Sequence, residues 1–306
     1  MITQPIRKLL FNGSPIKTFY ITRLQQSQIR EKVFLNIAGK NLDITRNNSM
    51  ICLDPFCMAA WLPAHETVDL NAANAVIEFK TNGMLSAAIN VSLIETVKTG
   101  KGSLLLFRIE SVRNHQLNAL KREMLFRYFL RSKKNTYDSR KVVSALYSYP
   151  RSIIIVSYAD DEYCNVFPMD IHGYIEEEGI YLLGLRTTNI TLDKILNAGK
   201  VVVCDTDAVD INSVYNLGKH SSTAPTPVDQ LPFDTVKSEV FGFPVPACSG
   251  GYKEIEVFEH KKMGYHMLMI GRVINNKVLR PNPASLYHVG FLQFQNSNYT
   301  SIEGLF

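Results

Sequence analysis

The chain has 306 residues, of which 46% are hydrophobic and 20% are charged. These proportions are typical of a globular protein with a large buried core, and the length predicts two domains rather than one. The net charge of +5 is small for a chain of this size. It favours anionic ligands slightly and is far from the strongly basic balance of proteins that bind nucleic acids.

The cysteines predict free thiols in a reducing compartment. There are five, an odd number with no CxxC pair, which fits neither a disulfide framework nor a zinc ribbon. Cys52 and Cys57 lie in an apolar stretch, where packing in the core is the expected role. The first ten residues lack a long apolar stretch and a small-residue cleavage site, and no segment approaches the roughly 18 apolar residues of a membrane helix. We therefore expect a soluble, cytoplasmic protein.

The first half of the chain is typical of an antiparallel β structure. Segments rich in apolar, β-branched and aromatic residues predict strands at residues 18–24, 32–37, 51–63, 75–80, 85–93 and 103–111, and Pro55 interrupts the third of these segments. The fourth and fifth of these flank Asn82-Gly83, which accepts the positive φ angles of a type I′ turn and therefore predicts a β-hairpin. Pairing of these strands would form a small barrel or sandwich.

A helix and then a domain boundary are predicted after these strands. Apolar residues recur every three to four positions over about residues 114–131, which predicts a helix. Its other positions are largely basic, which predicts a solvated face, with an anion- or partner-binding face as the alternative. Residues 132–139 are polar and charged and predict the boundary. The sequence thus predicts an N-terminal β-rich domain of unassigned role over residues 1–135 and a second domain over residues 140–306.

The second half alternates strands with short helices. Strands are predicted at residues 152–158, 163–168, 179–185, 200–204, 255–260 and 267–274, and helices at residues 142–147, 191–197 and 210–218. Thr191 can cap the second of these helices, because a threonine side chain can accept a hydrogen bond from a free backbone N–H there. Residues 222–234 are rich in proline and predict a loop.

Five short motifs follow one another through this half. They are Asn165-Val166-Phe167-Pro168, Arg186-Thr187-Thr188-Asn189-Ile190-Thr191-Leu192, Gly218-Lys219-His220-Ser221-Ser222, Leu231-Pro232-Phe233, and Gly264-Tyr265-His266 with the apolar strand that leads to Gly271-Arg272-Val273. Each motif alone is weak. The second combines a cation, hydroxyl groups and a helix start, which together suit a phosphate. Taken alone, its residues have an alternative interpretation, in which Thr191 only caps a helix and Arg186 is a surface cation.

The order and spacing of the motifs resemble the flavin reductase-like family, which binds FMN on a split β-barrel. The resemblance covers about residues 140–296, including the closing segment Leu286-Tyr287-His288-Val289-Gly290. It implies a mainly β fold with a few helices, namely a C-terminal FMN-binding split β-barrel plus a separate N-terminal β-rich barrel or sandwich that ends in a helix. The chain departs from the family pattern at Asp170, His172, Ser222 and Tyr265.

The resemblance also implies the residues of a cofactor site. Noncovalent FMN would be bound by Asn165, Val166, Phe167, Pro168, Arg186, Thr187, Thr188, Thr191, Lys219, Ser221 and Ser222. His266 would be the catalytic residue, in polar contact with the flavin or the nicotinamide ring. Extended backbone in the first motif would supply uncharged hydrogen bonds to the flavin edge. Tyr287 and His288 could reach the pocket or pack beneath it.

The activity implied by the resemblance is that of an oxidoreductase, a flavin reductase that transfers a hydride from NAD(P)H to FMN. The family usually forms homodimers with the flavin at the subunit interface, so the resemblance implies a homodimer. The alternative is an FMN-binding electron carrier or sensor module without NAD(P)H turnover. A third possibility is a barrel that has lost flavin binding and serves as an interaction scaffold.

Other chemistries lack their sequence signals. The chain has no GxGxxG fingerprint, no P-loop, no HExxH and no GxSxG. Its seven histidines show no metal-ligand spacing, so no metal is expected. Aromatic and basic residues are not interleaved in the manner of a platform for single-stranded nucleic acid, so no nucleic-acid partner is expected.

Overall fold

The computed structural model describes residues 15–66, 68, 75–130, 136–220 and 223–302, and over them the fold is mainly β. The strands of the first half are β1 Phe19–Gln25, β2 Glu31–Ile37, β3 Lys40–Asp43, β4 Asn48–Leu53, β5 Phe56–Pro63, β6 Ala75–Thr81, β7 Met84–Lys98 and β8 Gly102–Asn114. The strands of the second half are β9 Arg151–Ser152, β10 Ile154–Ala159, β11 Cys164–Met169, β12 His172–Ile175, β13 Ile180–Arg186, β14 Lys200–Cys204, β15 Thr235–Lys237, β16 Pro244–Pro246, β17 Gly251–Met263, β18 His266–Val278 and β19 Ala284–Gly290. The α-helices are α1 Ala119–Leu130, α2 Tyr137–Leu146, α3 Leu192–Ala198, α4 Ile211–His220 and α5 Phe291–Asn296.

The first half forms a seven-stranded antiparallel sheet in the order β3-β2-β6-β7-β8-β5-β4. Alternate residues of its strands enter one hydrophobic cluster, as expected when a sheet encloses its own core. The predicted hairpin is confirmed, because β6 pairs with β7 across Asn82 and Gly83, whose φ angles are 51° and 80°. The predicted helix begins at Ala119, later than expected, since β8 continues to Asn114.

One detail of this half differs from the sequence prediction. Strand β1 does not join the large sheet but pairs with β19, which also pairs with β9, so the start of the described chain is held by its end. The interruption predicted at Pro55 is confirmed. The apolar run over residues 51–63 divides into β4 and β5 at Asp54-Pro55, where the proline lacks the N–H that a continuous strand would use.

The second half forms another seven-stranded antiparallel sheet, in the order β11-β10-β14-β17-β18-β13-β12. Its core cluster combines β10, β13 and β14 with apolar residues of the two helices α3 and α4. The mainly β fold with two β-rich halves is therefore as predicted. No helix in the described ranges is long and apolar enough to span a membrane.

The two large sheets meet along β4 and share a hydrophobic cluster. Ile51 and Trp61 from the first sheet and Leu182 and Ile270 from the second are buried together in it. Gly184 lies at one close approach of the two sheets, because a Cβ atom there would lie 2.5 Å from the carbonyl oxygen of Ile51. The division into domains at residues 1–135 and 140–306 stays a prediction, and residues 131–135 lie outside the described part of the chain.

Candidate functional site

The ends of β11 and β13, the start of β18 and helix α4 surround one cavity of about 230 Å³. We name it the β13 pocket. Among the residues that line it are Phe167, Pro168, Arg186, Asn189, Gly218 and His266. Four of the five predicted motifs therefore contribute to one cavity, although they are spread over about a hundred residues of sequence.

His266 is a buried, uncharged wall of the β13 pocket. It is 3% exposed, and its Nδ1 lies 3.5 Å from the Sγ of Cys52. Its Nε2 has no hydrogen-bond partner among the described residues. Burial and, secondly, the positive charge of Arg186 lower the pKa of His266 to about 4, so the ring is neutral at pH 7. His266 can therefore exchange a hydrogen bond with a bound polar ring, but it does not act as a cation.

The second motif contributes one cation and a backbone link. Arg186 ends β13 directly opposite His266 in the β13–β18 ladder, and its side chain is exposed at the pocket. The backbone N–H of Thr187 donates to the carbonyl oxygen of Tyr265 at 2.9 Å, which ties this segment to the β17–β18 turn. Thr188 is exposed and does not line the pocket. The cofactor contacts predicted for Thr187 and Thr188 stay predictions.

Asn165 and Thr191 bind each other in the interior. Both are fully buried, and the Nδ2 of Asn165 donates to the Oγ1 of Thr191 at 2.7 Å. The hydroxyl of Tyr163 lies 2.9 Å from the same oxygen. Because this oxygen is already engaged, Thr191 does not cap α3, and that prediction is wrong. Instead the Oδ1 of Asn189 accepts the N–H of Thr191 at 2.9 Å. The structure thus gives the Asn165–Thr191 pair a positioning role, and its contact with a cofactor stays a prediction.

The first motif divides between core and pocket. Val166 is fully buried in the core cluster of the second sheet, whereas Phe167 and Pro168 line the β13 pocket. Pro168 also contacts helix α4, because a Cβ atom on Gly218 would lie 3.1 Å from its Cγ. A side chain at position 218 would therefore press the helix away from this wall.

The third motif is helical where the structure describes it. The helix predicted over residues 210–218 is confirmed, and it continues to His220, so both Gly218 and Lys219 lie on α4. Lys219 is exposed, and its Nζ donates to the Oδ1 of Asn216 at 2.9 Å. Ser221 and Ser222 lie outside the described residues. The anion contact predicted for Lys219 stays a prediction.

A buried network of Asp170, His288 and two tyrosines lies against the pocket. The Oδ2 of Asp170 accepts hydrogen bonds from the hydroxyl of Tyr147 and from the Nδ1 of His288, the latter at 2.7 Å. The Nε2 of His288 lies 2.5 Å from the hydroxyl of Tyr215. Burial alone would raise the pKa of Asp170, but the hydrogen bond and charge of His288, with Tyr147, outweigh it and bring the pKa to about 2. An ionised carboxylate is therefore held within this wall.

Sequence reasoning found only part of this network. It singled out Asp170 and His288 separately and missed Tyr147, Tyr215 and the pocket residue Asn189. The partners of Asp170 are 23 and 118 residues away along the chain, so no local spacing indicates the contacts. The only signal was that Asp170 departs from the family pattern.

The pocket residues suit binding better than covalent or metal chemistry. The thiol of Cys52 donates to the carbonyl oxygen of Met263 at 2.5 Å, and burial raises its pKa, so it is not poised as a nucleophile. Among the described residues no group of three or more histidine, cysteine, aspartate or glutamate side chains could hold a metal ion. The pocket offers apolar walls, a neutral imidazole, an exposed guanidinium and, in one wall, the ionised carboxylate of Asp170.

No protein-family model and no curated protein matches the sequence. Among solved structures, the FMN-binding protein from Thermus thermophilus is 21% identical over 46% of this chain and 83% of its own, with a TM-score of 0.41. The NADH:FAD oxidoreductase SgcE6 from Streptomyces globisporus is 14% identical over 56% of this chain and 96% of its own, with a TM-score of 0.46. The flavoredoxin from Methanosarcina acetivorans is 14% identical over 46% of this chain and 86% of its own, with a TM-score of 0.39. Each of these three solved structures aligns with about half of this chain.

Proposed function

We propose that this protein is a flavin-binding oxidoreductase that holds FMN noncovalently in the β13 pocket and takes electrons from NAD(P)H. The observation that carries the proposal is the convergence of Pro168, Arg186, Gly218 and His266 on one cavity. These residues belong to separate motifs whose order resembles the flavin reductase-like family. Residues so far apart in the sequence would not be expected to line one cavity unless the fold brought them together for a shared ligand.

The walls of the pocket fit a planar ring with a polar edge and a phosphate tail. Phe167, Pro168 and Leu185 offer apolar surface for the ring, and the Nε2 of His266 offers a hydrogen bond to its edge. Arg186 is exposed at the same cavity and would pair with the phosphate. When bound, FMN would supply the two-electron chemistry that side chains lack. The residues of this chain would bind it, orient it and shield one face from water.

The size of the pocket supports a homodimer. Its volume of about 230 Å³ is below the roughly 300–1,000 Å³ of common ligand sites. Ile190 follows the pocket residue Asn189 in the sequence, and Tyr265 precedes the pocket residue His266. Their side chains are 39% and 60% exposed, so they leave apolar surface beside the β13 pocket. We therefore propose that a second copy of the chain covers the flavin and completes the site.

One observation favours a second candidate function, an FMN-binding electron carrier or sensor that does not turn over NAD(P)H. The same small volume leaves no space within one chain for two ring systems stacked at the near-contact distance that transfer requires. If the partner copy closes over the flavin without admitting a nicotinamide ring, the protein would hold and exchange electrons only with another redox partner.

The compartment proposed for this activity is the cytoplasm. All five cysteines are free, and Cys52, Cys57 and Cys204 are buried as thiols. Free thiols in this number suit a reducing compartment, which is also where NAD(P)H is available to such an enzyme.

The experiment that tests the proposal is an absorption spectrum of the purified protein before and after incubation with FMN and removal of the excess. Retained bands near ~375 and ~450 nm, which belong to the oxidised flavin, are expected. Loss of the ~450 nm band on anaerobic addition of NADH or NADPH supports the oxidoreductase, and retention of the band supports the carrier. A protein that keeps no flavin under these conditions contradicts both functions.

A further inference from the structure

A second cavity, of about 380 Å³, lies between the two large sheets. We name it the inter-sheet pocket. Its walls come from the turn before β4, the segment that leads into β9, and the start of β12, and they include Arg46, Asn48, Tyr149, Arg151, His172 and Tyr287. We propose that the inter-sheet pocket binds a small ligand with one oxyanion group, a phosphate or a carboxylate, which accepts a hydrogen bond from Arg151.

Arg151 is a buried cation, and one of its three guanidinium nitrogens has no hydrogen-bond partner among the described residues. It is 6% exposed, its Nε donates to the carbonyl oxygen of Leu146 at 3.2 Å, and its Nη1 donates to the Oδ1 of Asn48 at 2.9 Å. Its Nη2 is buried and has no hydrogen-bond partner among the described residues. Burial lowers the pKa of Arg151, yet a guanidinium stays protonated in proteins, so the charge remains. A buried charge without a complete set of partners is costly, which points to a ligand that supplies the missing acceptor.

The polar groups around Arg151 make other hydrogen bonds and do not accept one from its Nη2. The Oδ2 of Asp170, in the same wall, accepts from Tyr147 and His288. Its carboxylate offsets part of the charge of Arg151 through space, but the Nη2 of Arg151 has no hydrogen-bond partner among the described residues. The Nδ2 of Asn48 donates to two backbone carbonyl oxygens, and its Oδ1 already accepts from Arg151. The Nη2 of Arg151 is therefore a donor for which none of the described residues supplies an acceptor.

His172 does not compete for the anion and does not add to its binding. Its Nε2 lies 3.0 Å from the carbonyl oxygen of Ser152, and its Nδ1 lies 2.9 Å from the hydroxyl of Tyr181. Burial lowers the pKa of His172 to about 4, so the ring is neutral at pH 7. Arg151 is thus the buried positive charge of this wall, and the oxyanion is expected to face it.

The rest of the lining indicates the size and charge of the ligand. The volume of about 380 Å³ lies within the range of small-molecule sites, and the rings of Tyr149 and Tyr287 give it aromatic walls. Arg46 is exposed and adds a second positive charge, whereas Glu176 and Glu177 are exposed acids of the same lining. These carboxylates would repel further negative charge, so a ligand with one anionic group fits better than a polyphosphate.

The test measures the thermal midpoint, Tm, of the full chain against increasing inorganic phosphate or sodium acetate, with chloride holding the ionic strength constant. A ligand that binds only the folded state raises Tm in a saturable way. A rise with phosphate alone assigns a phosphate group, and a rise with acetate alone assigns a carboxylate. Absence of a rise with either anion overturns the proposal.

Variants separate binding at Arg151 from general salt effects, since phosphate also stabilises proteins by exclusion from their surface. Arg151→Met should abolish the saturable rise, and Arg272→Met, at an exposed position on β18, should retain it. In chloride alone, Arg151→Met should unfold at a lower Tm than the wild type, because the carbonyl oxygen of Leu146 and the Oδ1 of Asn48 lose their donor, so each variant's rise is measured from its own Tm in chloride. An unchanged rise in Arg151→Met would contradict the proposal.

If Arg151→Met does not fold, Arg151→Lys provides the test. Lysine keeps the charge but lacks the planar fork that presents Nη2, so at least ten times more anion should be needed for the same rise in Tm. An unchanged requirement would contradict the proposal. FMN affinity should stay within about twofold of the wild type in both variants. A loss of the anion response with FMN affinity unchanged would concern the inter-sheet pocket alone, whereas absence of FMN binding in the wild type would concern only the proposed function.

Discussion

The β13 pocket and the inter-sheet pocket both include Asp170 in their walls, but they differ in the polar atom that lacks a partner among the described residues. In the β13 pocket it is the Nε2 of a neutral histidine, His266, and in the inter-sheet pocket it is the Nη2 of a charged arginine, Arg151. A buried donor without an acceptor costs about 1–3 kcal/mol when it belongs to a neutral group, and more when it belongs to a charged group such as a guanidinium.

The difference shows that two kinds of observation identify sites. The β13 pocket is supported by motifs that meet in space, so its ligand is inferred from a pattern of residues. No motif predicted the inter-sheet pocket as a site, and its ligand is inferred from the Nη2 of Arg151, which has no acceptor among the described residues. Four predictions test whether the two pockets are independent, from the largest expected effect to the smallest.

The first prediction concerns the turn that joins the two halves beside the β13 pocket. Gly264 has a φ of 62°, and a Cβ atom there would lie 2.2 Å from the carbonyl oxygen of Asp54. Gly264→Ala should therefore lower the free energy of unfolding by about 2–4 kcal/mol, from backbone strain and overpacking together. Gly179→Ala is the matched control, since Gly179 has a φ of 64° and nothing within 4 Å of its Cβ position.

Chemical denaturation of both variants measures this difference. The control should lose only about 1 kcal/mol, the cost of a positive φ. If Gly264→Ala loses no more than Gly179→Ala, the contact between the turn and Asp54 is not part of the stable fold. FMN affinity should fall in Gly264→Ala alone, because the turn carries His266.

The second prediction concerns pH and the buried histidine of the inter-sheet pocket. The pKa of His172 is lowered from 6.5 to about 4, so the unfolded chain binds more protons than the folded one between these values. The stabilisation is complete above about pH 6.5 and is lost as pH falls towards 4, by up to about 3 kcal/mol. Denaturation curves across this window should show the loss, and His172→Gln should reduce it but not abolish it, because the pKa of His266 is also lowered to about 4. An unchanged slope in His172→Gln would show that the ring titrates normally.

The third prediction concerns the Asn165–Thr191 pair behind the β13 pocket. Thr191→Val should lower stability by about 2 kcal/mol, because the buried Nδ2 of Asn165 loses its 2.7 Å acceptor. FMN affinity should change by less than about twofold if the pair only positions the wall. A tenfold loss of FMN affinity with unchanged stability would instead make Thr191 a direct cofactor contact, as the family resemblance implies.

The fourth prediction compares the two arginines directly. Arg186→Ala should weaken FMN binding by at least ~1.5 kcal/mol, through loss of a charge-assisted bond to the phosphate, and should leave the Tm response to inorganic phosphate unchanged. Arg151→Met should show the reverse pattern. Fluorescence titration with FMN measures the affinity, with Arg272→Ala as the control. If Arg186→Ala and Arg151→Met give the same pattern, the two pockets are not independent.

The sequence by itself determined what depends on neighbours along the chain. Apolar alternation placed most of the strands, and Asn82-Gly83 determined its hairpin because the two residues accept the required backbone angles locally. The motifs also predicted Phe167, Pro168, Arg186 and His266 as members of one site, and the structure brings all four to one cavity.

Only the tertiary structure decided what depends on distant partners. Thr191 does not cap its helix because Asn165, 26 residues earlier, already binds its hydroxyl. Asp170 is ionised beside His288, 118 residues away, and Arg151 lies beside Asn48, 103 residues away. Burial and pKa are set by all the groups that surround a side chain, and these groups come together only when the two sheets pack. The sequence therefore predicted part of the first pocket, whereas it singled out Asp170, His172 and Tyr287 without indicating that they line a second pocket.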